Sequence, residues 1–180
     1  MPTTPDPPED LESVLAAWET DVLLADGSTA LLRPIRPSDR DRLEAFHGRQ
    51  SPESIYFRYF RFRPELSDSE LDHFTTVDYF DRMAFVVVRG DDLIAVARYE
   101  PWADRNEAEI AFFVDDGNRG RGLATILLEF LAAAGRRRQL DGFTATVLPE
   151  NYGMLRVFRK AGFEVSTKFA DGVIEVTLGI

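Results

Sequence analysis

Residues 114–124 read VDDGNRGRGLA. An apolar run, EAEIAFFV at 107–114, leads into this loop, and a long segment from Gly122 to Arg138 leads out of it. In that segment Leu123, Ile126, Leu127, Phe130 and Leu131 follow the i, i+3, i+4, i+7, i+8 stripe of a helix buried on one side. A strand, a glycine-rich loop and a helix in this order put the backbone N–H groups of Arg121, Gly122, Leu123 and Ala124 at a helix N-terminus. Those donors, with the positive end of the helix dipole, form an anion site. Gly120 and Gly122 lack the Cβ that would hold a phosphate off the backbone. Arg119 and Arg121 add guanidinium groups that suit phosphate oxygens. Two other phosphate loops fail on the letters: no lysine stands where a Walker loop requires one, and Thr125 occupies the third-glycine position of a dinucleotide fingerprint.

Working outward, the spacing predicts a mixed sheet. Upstream of the loop, MAFVVVRG (83–90), DDLIAVARYEP (91–101) and EAEIAFFVDD (107–116) are strands joined by short polar turns, which makes an antiparallel meander. Further upstream, DVLLADGSTALLRPI (21–35) reads as a hairpin with Asp26-Gly27 at its turn. Ser38 and Asp39 read as the N-cap of a helix through Arg49. A second helix follows Ser51-Pro52 through SIYFRYFRF, with Ile55, Tyr59 and Phe62 on one face, and Ser67 to Phe74 gives a third. Downstream come a strand, GFTATVL, a helix from Asn151 to Ala161 stopped by Gly162, and two strands flanking Asp171-Gly172. The fold class is α/β (α+β), a mostly antiparallel mixed sheet with helices on both faces. Residues 1–20 are expected to be an acidic, proline-rich and partly disordered tail, and residues 21–180 one folded domain.

Composition excludes several classes of function. With no cysteine and only two histidines, His47 and His73, the chain has no thiolate metal site, no cysteine nucleophile and little material for a histidine-based metal site. Its chemistry is expected to be metal-free. The lack of cysteine suits a reducing cytoplasm, and no apolar run is long enough for a membrane span. The net charge of −10 is concentrated in residues 1–28, which hold seven acids and no Lys or Arg. That balance disfavours a nucleic-acid partner.

Arg119-Gly120-Arg121-Gly122-Leu123-Ala124 resembles the pyrophosphate-binding signature Gln/Arg-x-x-Gly-x-Gly/Ala of the GNAT superfamily of acyl-CoA N-acyltransferases. The order of strands and helices resembles that family over nearly all of residues 22–180, and so does Asn151 followed by a helix ending in Ala161-Gly162-Phe163. The resemblance implies acetyl-CoA as cosubstrate and a strand ending at Val114 that splays from GFTATVL. The pantetheine arm would lie between them, bonded to the backbone of Phe113 and Val114, with Asn151 also contacting the CoA arm. Many relatives have a proton-donating tyrosine four residues before the final glycine of this region. Phe158 stands there in this chain, which leaves the general acid open.

Amine acylation needs a base, because a lysine ammonium has a pKa of about 10.4. Of the nearby acids, Asp115 and Asp116 belong to the anion loop, whereas Glu109 lies deeper in its strand. Apolar neighbours there are expected to desolvate it and raise its pKa. The segments SIYFRYF, HFTTVDY and AEIAFFV resemble the bacterial protein lysine acetyltransferases of the Pat type, whose general base maps onto Glu109. That resemblance implies a protein lysine as acceptor, on an AMP-forming acyl-CoA synthetase such as acetyl-CoA synthetase, acylated by direct attack in a ternary complex. It also implies a regulatory domain fused to such catalytic domains, so the chain is expected to be a stand-alone enzyme or one catalytic part of a longer protein. Tyr56 and Arg58 are the expected acceptor contacts in the aromatic segment. A small-molecule amine acetyltransferase and a non-catalytic acyl-CoA sensor are the alternatives.

Overall fold

The computed structural model describes residues 10–180. Eight strands form one sheet among them: β1 (Thr20–Leu23), β2 (Thr29–Pro34), β3 (Met83–Arg89), β4 (Asp92–Pro101), β5 (Glu107–Val114), β6 (Gly142–Val147), β7 (Glu164–Ala170) and β8 (Val173–Gly179). Their order is β1-β2-β3-β4-β5-β6-β8-β7, antiparallel throughout except where β5 meets β6. The helices are α1 (Leu11–Ala17), α2 (Arg40–Gly48), α3 (Pro52–Tyr59), α4 (Asp68–Thr75), α5 (Leu123–Arg137) and α6 (Tyr152–Lys160). The chain therefore has the mixed sheet and two-sided helical cover that its pattern predicts.

The unbroken apolar run of β3 follows from burial on both faces. Phe85 and Val87 join the core beneath α5, with Leu123, Leu127 and Leu131 of the helix stripe. Ala84, Val86 and Val88 face the opposite way, onto a second core built from Leu43 and Phe46 of α2, Ile55 of α3 and Leu71 of α4. The sheet thus separates an α5 side from an α2–α4 side, and both matter for the site.

Three expectations need correction. The second helix stops at Tyr59 instead of running on through Phe62. Phe60 takes a left-handed conformation with φ 60°, Pro64 lies just beyond, and Phe62 is left exposed. Asp39 does not cap α2 with its side chain. It is fully buried and accepts two 2.7 Å bonds from Arg33, which tie β2 to the turn before α2. The packed unit also begins earlier than residue 21, because Trp18 sets its ring 5.5 Å from Phe85 and 6.3 Å from Phe130. Residues 1–9 of the expected tail lie outside the described residues.

Candidate active site

The parallel pair β5–β6 is in register for only three residues, Glu107 with Gly142, Ala108 with Phe143 and Glu109 with Thr144. Beyond Glu109 the strands part, while β5 stays paired to β4 through Val114 and β6 stays paired to β8 through Val147. The gap opens into a cleft of about 850 Å³ running from Glu109 to the loop before α5.

Two bonds at the ends of β5 fix which of its backbone groups face this gap. Trp102 donates to the Glu107 carbonyl at 2.9 Å, and the Asp115 N–H donates to Ile94 at 2.9 Å, both toward β4. Successive residues of a strand point their backbone groups to opposite edges. The odd-numbered residues, Phe113 among them, are therefore committed to β4. Ile110, Phe112 and Val114 present N–H and C=O to the parted edge. Val114 lies where the sequence reading puts it, but Phe113 does not offer its backbone to the cleft, and Phe112 takes that place. The Phe113 side chain is buried on the α2 side, 5.2 Å from the Phe46 ring.

At the far end of the cleft α5 begins at Leu123 with Gly122 as its N-cap, left-handed at φ 81°, and no side chain caps it. Gly120 is likewise left-handed at φ 74°. With no acid in the first turn, the N–H groups of Leu123 and Ala124 keep their capacity for an anion. Asp115 and Asp116 hold this loop in place. Asp115 accepts from Arg49 at 2.9 Å, Gln50 at 2.9 Å and Asn118 at 2.8 Å. Asp116 accepts from the Ser51 N–H at 2.7 Å and from the Ser54 hydroxyl. Burial alone would raise both carboxyl pKa values, but these donors outweigh it and hold both below the ordinary value. The two acids thus anchor the loop to the α2–α3 junction.

The two loop arginines diverge. Arg119 lines the cleft, half exposed, bonded to Ser54 Oγ at 2.6 Å and 3.2 Å from Asp116. Arg121 turns away to Asp26 of the β1–β2 turn at 3.2 Å and to Asn118 at 2.9 Å, while its carbonyl accepts from Ala25 at 3.0 Å. Its side chain therefore brings no charge to the cleft, contrary to the sequence expectation. Its place in the loop is to fasten the hairpin.

Glu109 sits at the fork of β5 and β6 and lines the cleft, but it is exposed, not desolvated among apolar residues. The splay that opens the cleft also removes the neighbours expected to bury it. Directly across β4 lies Glu100, a cleft residue that sequence reasoning missed. Glu100 bonds to His73 Nε2 at 3.0 Å and Arg82 at 3.2 Å. Burial works to raise its pKa, yet Arg82 and His73 outweigh that and hold it low. Two like charges facing across a strand pair repel, and the neutralised partner leaves Glu109 as the uncommitted one.

On the remaining wall, Phe57, Arg58 and Phe60 of the α3 region line the cleft. Tyr56 is exposed outside it, so only Arg58 of the two expected acceptor contacts borders the site. Asn151 caps α6 by accepting from the Met154 N–H at 3.2 Å, which leaves its amide nitrogen as the side chain's donor toward the cleft. Phe158 is buried against Phe112, with ring centroids 6.0 Å apart, and has no proton to give. Among the described residues no cluster of three or more His, Cys, Asp or Glu could hold a metal ion, and no helix is long and apolar enough to cross a membrane.

Comparison with known proteins bears on these observations. Residues 30–164 match the model of the acetyltransferase (GNAT) domain. Acetyltransferase PA5475 of Pseudomonas aeruginosa is 33% identical over 118 residues, covering 63% of this chain and 63% of that protein. Acetyltransferase Pat of Mycolicibacterium smegmatis is 30% identical over 153 residues, covering 82% of this chain and 46% of that one. The chain thus spans less than two thirds of the length of either curated relative. Among solved structures, the GNAT domain of S. lividans PAT superposes with a TM-score of 0.85 at 40% identity, covering 92% of this chain and 98% of that domain.

Proposed function

The chain belongs to the GNAT acetyltransferase family, and from that premise we propose that it transfers an acetyl group from acetyl-CoA to a lysine of a protein, an AMP-forming acyl-CoA synthetase. The observation that carries the proposal is the parting of β5 and β6 at Glu109, in one cleft with the uncapped N-terminus of α5. Glu109 and Val114 lie roughly 17 Å apart along five residues of β5, and the loop that leads to α5 begins just beyond Val114, so an extended thioester arm fits between an anion site and a carboxylate. The resemblance of SIYFRYF, HFTTVDY and AEIAFFV to Pat-type enzymes supports a protein lysine, in the cytoplasm, as acceptor.

In this mechanism the α5 N-terminus and Arg119 hold the pyrophosphate, and the free edge of Ile110, Phe112 and Val114 pairs with the pantetheine amides as a missing strand would. The acceptor lysine enters between α3, α4 and β4. Glu109, directly or through one water, takes a proton from its ammonium, and docking of the acceptor strips water from that carboxylate. The neutral amine attacks the thioester carbonyl, so the C–N bond forms and the C–S bond breaks. Backbone N–H groups on the open edge of β5 stabilise the negative oxygen. The nitrogen, cationic after the attack, gives its second proton to solvent as the thiolate leaves, and solvent returns a proton to the thiolate without help from Phe158. Acetylation removes the positive charge of the acceptor lysine and with it that lysine's ionic contacts.

The test is acetylation of a panel of AMP-forming acyl-CoA synthetases with acetyl-CoA, mapped by mass spectrometry. One modified lysine in the synthetase active site, lost with Glu109→Gln, supports the reading. Absence of modification across the panel, despite acetyl-CoA binding, overturns the acceptor class.

A further inference from the structure

Arg98 is an unusual neighbour for a site that takes a cationic amine. It lies on β4 opposite Ala111, one step along the same face from the facing pair Glu100 and Glu109, and it lines the cleft while only 6% exposed. A guanidinium carries five N–H donors in a planar fork. Here one bond is made, to the Phe74 carbonyl at 3.0 Å, and the group rests 4.4 Å from the Phe74 ring centroid. Among the described residues no carboxylate lies within ion-pair distance of it. Glu100, on the same face of the same strand, is occupied by His73 and Arg82.

Burying a cation without a counter-ion is costly. Burial, and then the charge of Arg58, lower the Arg98 pKa to about 9, so the group still carries its charge at neutral pH. None of its nitrogens is both sealed from solvent and unbonded, and the residue lines both the cleft and a smaller cavity beside Phe46, Phe74 and Val96. A buried, charged, donor-rich fork in a binding cleft is the complement of a carboxylate.

We propose that Arg98 is an acceptor-binding residue that selects an amine bearing a carboxylate close by, on the scale of the diagonal Arg98–Glu109 spacing of about 7–8 Å across the strand pair. The carboxylate belongs either to an acidic residue beside the acceptor lysine of a protein or to an amino-acid acceptor itself. The inference rests on the placement of the acceptor amine at Glu109. It also explains how a cleft wall with Arg58 and Arg98 receives a cationic substrate: the carboxylate of the acceptor neutralises the wall while Glu109 receives the ammonium.

The experiment uses two pairs of probes differing only in one negative charge. The first pair is Nα-acetyl-lysine and its amide; the second is a blocked tetrapeptide containing Asp-Lys and the same peptide with Asn-Lys. Acetyl-CoA-dependent turnover is followed by mass spectrometry, and binding of the same probes to the CoA-loaded enzyme by isothermal titration. The wild type is expected to favour the charged member of at least one pair by about tenfold or more in kcat/KM or affinity. Preference within the first pair alone points to an amino-acid acceptor, and preference within the second to a protein lysine with an acidic neighbour. Arg98→Met reduces the ratio to near one, Arg98→Lys restores part of it, and thermal unfolding with acetyl-CoA titration confirms that both variants fold. Glu109→Gln slows turnover of every probe and leaves the binding ratio in place, so failure of the base is distinguishable from failure of this proposal. Equal behaviour of both pairs in the wild type, an unchanged ratio in Arg98→Met, or no detectable binding of any probe overturns it.

Discussion

Two helices begin beside the same cleft, and their N-termini are built in opposite ways. α6 is closed by its own sequence, with the Asn151 side chain accepting from the Met154 N–H. α5 starts from a left-handed glycine with no capping side chain and no acid in its first turn. The α6 arrangement is the ordinary one, because an N-cap of Asn, Asp, Ser or Thr satisfies a helix end at little cost. Leaving α5 open forgoes that stabilisation, and the glycines make room for something else to do the capping. α6 consumes one of its N-terminal donors internally, whereas α5 leaves its own without a capping side chain. The surroundings agree: Asp115 and Asp116 grip the α2–α3 junction and leave the donors of α5 uncapped.

The comparison can be broken first at its charged residues. Arg119→Ala is expected to weaken acetyl-CoA binding by about tenfold or more, the loss of a charge-assisted bond. Arg121→Ala should change the affinity by less than about threefold, because its side chain pairs with Asp26 and Asn118 away from the cleft. Isothermal titration of both variants checks this, and equal losses would mean that Arg121 swings to the phosphate.

Next in size are the two N-caps themselves. Gly122→Ala costs about 1–2 kcal/mol through its left-handed backbone, since nothing in the protein lies within 4 Å of an added Cβ. Asn151→Ala costs about 1 kcal/mol by uncapping α6. Denaturant unfolding should therefore show similar losses, while acetyl-CoA affinity falls more for Gly122→Ala than for Asn151→Ala. A larger affinity loss for Asn151→Ala would make that residue a ligand group before a cap.

The smallest effect separates cleft from scaffold. His47 Nε2 donates to the Arg63 carbonyl at 2.7 Å, and Nδ1 is buried without a partner. Burial lowers its pKa from 6.5, so below about pH 6.5 the unfolded chain binds a proton that the folded chain resists. Stability is therefore present above that pH and falls as the pH drops toward the folded pKa, at up to about 1.4 kcal/mol per pH unit. His47→Gln should flatten the unfolding free energy as the pH falls below about 6.5, and no flattening would assign the acid loss to other groups.

How much of this was legible in the sequence depends on how local each signal is. The strand, loop and helix around Gly120 and Gly122 were readable because glycine chemistry and a helical stripe act over a few residues. The edge of β5 that faces the cleft was not, since it depends on the register with β4, and that exchanges Phe112 for Phe113. Glu109 was legible from its depth in the strand and from the Pat-type resemblance, but its exposure follows from the departure of β6, which no pattern within EAEIAFFV records. Arg121 was misread because its partner, Asp26, lies in a hairpin remote in the chain. Arg98 and Glu100 had one faint signal, an arginine and a glutamate continuing the face of Val96 in an otherwise apolar strand.

The proposed mechanism has Glu109 act on the acceptor amine and not on the cofactor, in a cleft whose anion site is independent of it. It is tested most directly by measuring, for Glu109→Gln, both the rate of acetyl transfer to Nα-acetyl-lysine and the Kd for acetyl-CoA. The expected result is a rate lower by about 10² or more with the Kd within about twofold of wild type. An unchanged rate, or a rate lost only in step with acetyl-CoA binding, would contradict it.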